Sequence, residues 1–211
     1  MVKRAGEIPP LARPTARVGL FGGTFDPVHL GHLAIVRAAL AELQLDQLFF
    51  IPAAQAPLRQ EVPAASATDR LDLLGRAIAE AAEPRLGVLD LEIQSGGINY
   101  TVDTVRKLRA AWPQAEFFWL LGADQFARLD RWREPGELAK LVEFAVLERP
   151  GSPPPAPPAS LAKQIHWRPL HAEPHPASAE EIRRRCRMGE LMRLWLPRAV
   201  AAAIEEKHLY R

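Results

Sequence analysis

The chain has 211 residues, 48% of them hydrophobic, and a net charge of +2 at pH 7. That length suits one domain with a substantial core, and so small a charge gives no bulk electrostatic case for a nucleic-acid or membrane partner. A single cysteine, Cys186, excludes an internal disulfide and suits a reducing cytoplasm, and no run approaches the roughly 18 apolar residues of a spanning helix.

Residues 1–16 carry Lys3, Arg4, Arg13 and the breakers Gly6, Pro9, Pro10 and Pro14, without the apolar segment of a signal peptide. They read as a flexible extension ahead of a single domain over 17–211. Apolar runs predict strands at 18–21, 48–51, 86–93, 117–121, 144–147 and 165–169. Between the first two, Leu33, Val36, Leu40 and Leu43 fall at helical spacing, in a helix starting near Gly31. Thr68 is a candidate N-cap for a helix with Leu71, Leu74 and Ile78 inward. Thr101 is one for a helix with Val102, Val105, Leu108 and Trp112. Ser178 with Glu181 three residues on has the form of a capping box. The proline-rich stretch 150–158 is a stiff connection before the last strand. A final helix over 197–208 opens with proline at an N1-like position. Strands alternating with helices predict an α/β fold with a mostly parallel, doubly wound sheet.

Residues 22–32 read Gly-Gly-Thr-Phe-Asp-Pro-Val-His-Leu-Gly-His, directly behind the first predicted strand. A glycine turn lets backbone N–H groups approach a ligand, and the helix N-terminus behind it favours anions. Two imidazoles three residues apart can donate to the same anion and carry charge near neutral pH. This pattern predicts a phosphate site at the carboxyl end of the first strand. It is neither a P-loop nor a G-x-G-x-x-G fingerprint. A structural histidine pair is the plainer alternative. A metal would need three or four ligands, and Asp26 is the only nearby addition, equally suited to capping the turn.

The segment His29-Leu30-Gly31-His32 resembles the H-x-G-H marker of the nucleotidylyltransferase superfamily, and the longer string is similar to its bacterial nicotinate-nucleotide adenylyltransferase branch. Further along, Asn99-Tyr100-Thr101-Val102-Asp103-Thr104 is similar to S-Y-T-x-x-T, Leu121-Gly122-Ala123-Asp124 to I-G-x-D, and Arg149-Pro150-Gly151 to R-P-G. The ending Leu209-Tyr210-Arg211 also resembles the family's tail. The resemblance implies a Rossmann-like nucleotidylyltransferase fold and transfer of AMP from ATP to nicotinate mononucleotide, with Mg²⁺ on the ATP phosphates and no protein metal ligand. It implies His32 and His29 as the catalytic pair. It further implies ATP contacts from Gly22, Gly23, Thr24, Phe25, Gly122, Asp124, Ser178 and Arg183, and acceptor contacts from Arg59, Tyr100, Thr101 and Trp132, the tryptophan stacking on the pyridine ring.

Two departures from the pattern stand out. Glu180 occupies a threonine position at the phosphate end, so it is expected to face solvent while Arg183 faces the phosphates. Leu58 replaces a histidine in the loop that carries Arg59. These departures motivate a rival reading as a nucleotide-binding regulator without turnover. Transfer to nicotinamide mononucleotide or phosphopantetheine is the nearer rival. An RNA-binding role for Arg183, Arg184, Arg185 and Arg187 is disfavoured by the low net charge, and His166, His171 and His175 are assigned no role.

Overall fold

The computed structural model describes residues 6–55, 62–148, 155–191 and 193–211. Six strands, β1 (Arg17–Gly23), β2 (Gln47–Pro52), β3 (Leu86–Val88), β4 (Glu116–Gly122), β5 (Glu143–Leu147) and β6 (Trp167–Leu170), form one sheet in the order β3-β2-β1-β4-β5-β6. Every neighbouring pair is parallel. The chain leaves β1 to build one half and returns at β4 to build the other, so the switch point lies beside β1, where such sheets bind ligands.

Successive side chains of a strand point to opposite faces, so a strand covered on both sides reads as a continuous apolar run. Leu48, Phe50, Phe118, Leu120 and Ala145 pack on one face with α1 (Leu30–Glu42), α2 (Ala67–Ala81), α7 (Ala179–Arg187) and α8 (Arg198–Glu206). Their neighbours Phe49, Ile51, Phe117, Trp119, Leu121, Phe144 and Val146 pack on the other. That face is covered by α3 (Leu91–Ser95), α4 (Thr101–Ala111) and α6 (Pro135–Leu141). The short α5 (Ala123–Phe126) follows β4 directly.

The third predicted strand is cut short. Residues 86–88 pair with β2, but Leu91–Ser95 turns into a helix, closed by Gly96 at φ 65. The side chain that caps α2 is Ser66, which accepts from the Asp69 N–H at 3.1 Å, not Thr68. The inward residues there are Leu73, Leu74 and Ala77, with Leu71 only half-buried. Likewise Tyr100 is the N-cap of α4, and Thr101 is its first helical residue. Pro197 stands one residue outside α8, whose first free N–H groups, Arg198 and Ala199, are capped by the Glu80 carboxylate of α2 at 2.9 and 2.7 Å. Pro169 is tolerated because β6 is an edge strand.

The expectation of a flexible leader does not hold for residues 6–16. The Gly6 N–H reaches the Asp90 carboxylate at 3.1 Å, Trp112 Nε1 donates to the Pro9 carbonyl at 2.9 Å, and Ile8 and Leu11 pack on the core. Among the described residues, no helix is long and apolar enough to cross a membrane.

Candidate active site

At the carboxyl end of β1 the chain runs through Gly22 and Gly23 as strand, so the two glycines end the strand and the turn follows them. Each glycine permits a close approach. A Cβ on Gly22 would lie 2.7 Å from the Trp119 ring, and one on Gly23 would lie 2.9 Å from the Phe25 ring. The left-handed residue of the turn is Phe25, at φ 50. Its ring is buried and meets Phe21, Phe50 and His32 edge-on at 5.4, 5.3 and 5.1 Å. The Phe25 side chain therefore supports the His32 ring from the core.

The turn over residues 24–27 is held from three sides, and Asp26 is its hub. Its buried carboxylate accepts from the Ala64 and Ala65 N–H groups at 2.7 and 3.1 Å and from the Tyr210 hydroxyl at 2.8 Å. Burial, followed by that carboxylate, pushes the Tyr210 hydroxyl far above its usual range, so it stays a donor. Arg183 donates to the Asp26 carbonyl at 2.7 Å. The fully buried Arg70 donates to the Thr24 and Ala53 carbonyls, both at 2.8 Å, joining the ends of β1 and β2. Sequence reasoning missed Arg70, although it precedes Leu73, Leu74 and Ala77 on the apolar face of α2 at helical spacing.

His29 is the N-cap of α1 and His32 its third helical residue. The rings stack at 3.7 Å with planes 27° apart. The His29 N–H donates to His32 Nδ1 at 3.2 Å, so neutral His32 carries its proton on Nε2. Gly31 leaves room for the His29 ring, which a Cβ there would meet at 3.0 Å. Burial, with His175 adding to it, lowers His29 to about 4, and burial followed by His29 holds His32 well below the usual histidine range. Both rings are therefore neutral near pH 7, where their spacing alone also allowed charge.

This has a consequence for stability. Unfolded His29 titrates near 6.5, so between pH 6.5 and 4 the unfolded chain binds a proton that the native state refuses. Stability is fully present above pH 6.5 and falls as the pH drops through that window, by about 3 kcal/mol. Urea midpoints of wild type and His29→Gln at pH 7.5, 6 and 4.5 should converge in stability as the pH falls. Parallel curves would show that another group governs the acid limb.

The N-terminus of α7 lies beside that of α1, where a Cβ on Gly31 would stand 3.6 Å from the Ala177 carbonyl. Ser178 caps α7 by accepting from the Glu181 N–H at 3.2 Å. Only half of the expected capping box forms, because Arg184 and Arg185 draw the Glu181 carboxylate away at 2.6 and 2.8 Å. Glu180 is exposed, as expected. Arg183 is half-buried on the Asp26 carbonyl, so in the protein alone it braces the turn.

On the other side of β1 a cleft of about 510 Å³ is lined by Gly22, Gly23, Thr24, Tyr100, Thr101, Gly122 and Trp132, all of them residues predicted from sequence. Trp119, Gln125, Arg131, Arg133 and Glu92 also line it and were missed, since each reads as an ordinary core or surface residue in its own segment. Trp132 stands perpendicular to Trp119 at 6.4 Å and 89°, and the Arg133 guanidinium lies 4.7 Å over the Tyr100 ring. His29 and His32 do not line this cleft; they stand behind Gly22–Thr24 on the α1 side. Asp124 is exposed in the first turn of α5, whose N-cap is Gly122, so it is not a capping residue. Arg59, Leu58 and Arg149-Pro150-Gly151 lie outside the described residues.

A strand-end turn backed by paired imidazoles and two helix N-termini, beside an aromatic cleft at the switch point of a parallel sheet, defines a nucleotide-handling transferase of the α/β class. A match to the cytidylyltransferase-like family spans residues 20–185. A Bordetella petrii relative named "Probable nicotinate-nucleotide adenylyltransferase" is 46% identical over 204 residues, covering 92% of this chain and 99% of its own. A Thermus thermophilus relative of the same name is 40% identical over 195 residues, covering 92% and 100%. The fold matches that of Plasmodium falciparum nicotinic acid mononucleotide adenylyltransferase complexed with NaAD, with a TM-score of 0.73 at 17% identity, over 92% of this chain and 97% of that one. The chain belongs to the cytidylyltransferase-like family and, within it, to the nicotinate-nucleotide adenylyltransferases.

Proposed function

We propose that the protein transfers the AMP moiety of ATP to nicotinate mononucleotide, giving nicotinate adenine dinucleotide and pyrophosphate, a step of NAD biosynthesis that we place in the cytoplasm. The observation that carries this reading is the stacked His29–His32 pair at two converging helix N-termini, with the Tyr100–Trp132 cleft across the same strand end. An oxygen of the acceptor's phosphate attacks the α-phosphorus of ATP in line. The bond to the bridging oxygen breaks, and its electron pair leaves with pyrophosphate. Such transfer needs no side-chain nucleophile; positioning and charge stabilisation supply the rate.

In this reading His32 Nε2–H donates to the α-phosphate as charge builds there, and His29 and the free N–H groups of α1 and α7 hold the remaining phosphates. Ser178, at the α7 N-cap, marks that second helix end, and Arg183 is within reach of the triphosphate if it exchanges the Asp26 carbonyl for a phosphate oxygen. Asp124 contacts the ribose hydroxyls of ATP, Arg59 the acceptor's phosphate, and Tyr100 and Thr101 its acid group at the start of α4. Among the described residues no group of three or more His, Cys, Asp or Glu could hold a metal ion. Mg²⁺ bound to the ATP phosphates would neutralise their charge.

Trp132 stacks on the pyridine ring in this reading. Trp132→Ala should raise KM for the mononucleotide about fivefold, on the order of 1 kcal/mol, with KM for ATP unchanged. Equal effects on both substrates would make Trp132 a packing residue. The function itself is tested by pyrophosphate release with ATP and a panel of nicotinate mononucleotide, nicotinamide mononucleotide and phosphopantetheine. Turnover only with the last would overturn the pyridine assignment, and no turnover with any would favour a nucleotide-binding regulator.

A further inference from the structure

The cleft wall between α3 and α4 holds a buried carboxyl that the reading above gives no part. Glu92 is only 7% exposed, yet it lines the cleft beside Asn99, Tyr100 and Thr101. Its Oε1 accepts from the hydroxyl of Thr104, itself buried in the first turn of α4, at 2.8 Å. Its main-chain carbonyl accepts from Asn99 Nδ2 at 3.1 Å. Both ends of the segment 99–104 are thus tied to one residue of the preceding helix. The first N–H groups of α4 have no acceptor within the helix, and their aim depends on where this turn is held.

Those N–H groups suit an anion. Burial raises the Glu92 carboxyl from its usual range, against the pull of the Thr104 hydroxyl and of Lys107 on α4. Of the other charged groups here, Arg131 and Arg133 line the same cleft, and Asp90 is engaged by the Gly6 N–H and the Gln94 amide. We propose that Glu92 is a positioning residue for the acceptor: through the Thr104 hydroxyl and the Asn99 amide it fixes the first turn of α4, whose free N–H groups receive the acceptor's acid group. The proposal rests on the adenylyl-transfer reading above.

Steady-state rates of pyrophosphate release, with Mg²⁺ and ATP and either nicotinate or nicotinamide mononucleotide, test it in the full-length protein. Glu92→Gln keeps an acceptor for the Thr104 hydroxyl, so at pH 7 its KM for the acid acceptor should stay within threefold of wild type. A tenfold change in either direction would show that the charge of the carboxyl, not its tie to Thr104, sets acceptor binding, and would overturn the proposal. Glu92→Ala should raise KM for the acid acceptor at least tenfold and reduce the preference for acid over amide, with KM for ATP and kcat within about twofold. A uniform loss on both substrates would reduce Glu92 to a packing residue. If Glu92→Ala does not fold, Thr104→Val removes only the hydroxyl. It should raise the acid acceptor's KM threefold or more at unchanged Tm, and wild-type kinetics there would overturn the proposal. Wild-type protein inactive with both mononucleotides would overturn the parent reading as well, whereas active wild type with an unchanged Glu92→Ala overturns this proposal alone.

Discussion

Replacing His32 with alanine should lower kcat about a hundredfold, equivalent to roughly 3 kcal/mol of transition-state stabilisation, in a protein that still folds. The size of the effect follows from geometry. His32 Nδ1 is occupied by the His29 N–H, which leaves Nε2–H as its donor, and the neutral ring needs no proton transfer before it donates. A donor fixed before the reaction contributes more than water, which would have to reorient. Stability should suffer less. The variant loses ring contacts with Phe21 and Phe25 and leaves one half-exposed N–H without its partner, a cost of about 1–2 kcal/mol. His29→Ala should be nearly as damaging to turnover, because it removes the other ring of the stack. Stopped-assay kcat at saturating substrates, beside a thermal melt, makes the measurement. An unchanged kcat in folded His32→Ala would falsify the phosphate assignment.

Arg70→Leu should cost about 3 kcal/mol of stability and lower Tm by about 10 °C, with most activity lost at temperatures where the wild type is unaffected. Leucine fills most of the volume, so the loss is not mainly a cavity. It is the loss of the donor that satisfies the Thr24 and Ala53 carbonyls at once, together with the positive charge that offsets buried Asp26. With that clamp gone, the Thr24 and Ala53 carbonyls lose their shared donor, and the turn that aims His29 and His32 relaxes. A Tm within 2 °C of wild type would show that solvent or the loop beyond Ala53 supplies the missing donors, and would remove Arg70 from the account of the site.

Local chemistry explains why the histidine pair could be read directly from the chain. His29 and His32 belong to one helix start, and a spacing of three residues brings their side chains together in any helix. The strands were legible because a sheet covered on both faces needs unbroken apolar runs, and helical spacing marked α1 and α4 for the same reason. Residues 86–93 were misread because an apolar run of that length does not distinguish a strand from a strand followed by a short helix. The charge state of the histidines was not legible, since spacing carries no information about the desolvation that keeps them neutral.

Other parts of the site are long-range, and only the folded chain could place them. Tyr210 meets Asp26 across 184 positions of sequence, Arg183 reaches the Asp26 carbonyl across 157, and Arg70 joins Thr24 to Ala53. A buried polar group must find a partner, but its sequence does not say which one, because any donor brought near by the topology satisfies it equally. The same holds for Glu92 and Arg133, which line a cleft that exists only once α3, α4 and the Trp132 segment are packed on one face of the sheet. The chain's local patterns thus determined the strand-turn-helix, its histidines and the alternation of the fold. Tertiary packing decided which groups brace the turn, which remain uncharged and which line the cleft, since burial and distant pairing are properties of the assembled sheet.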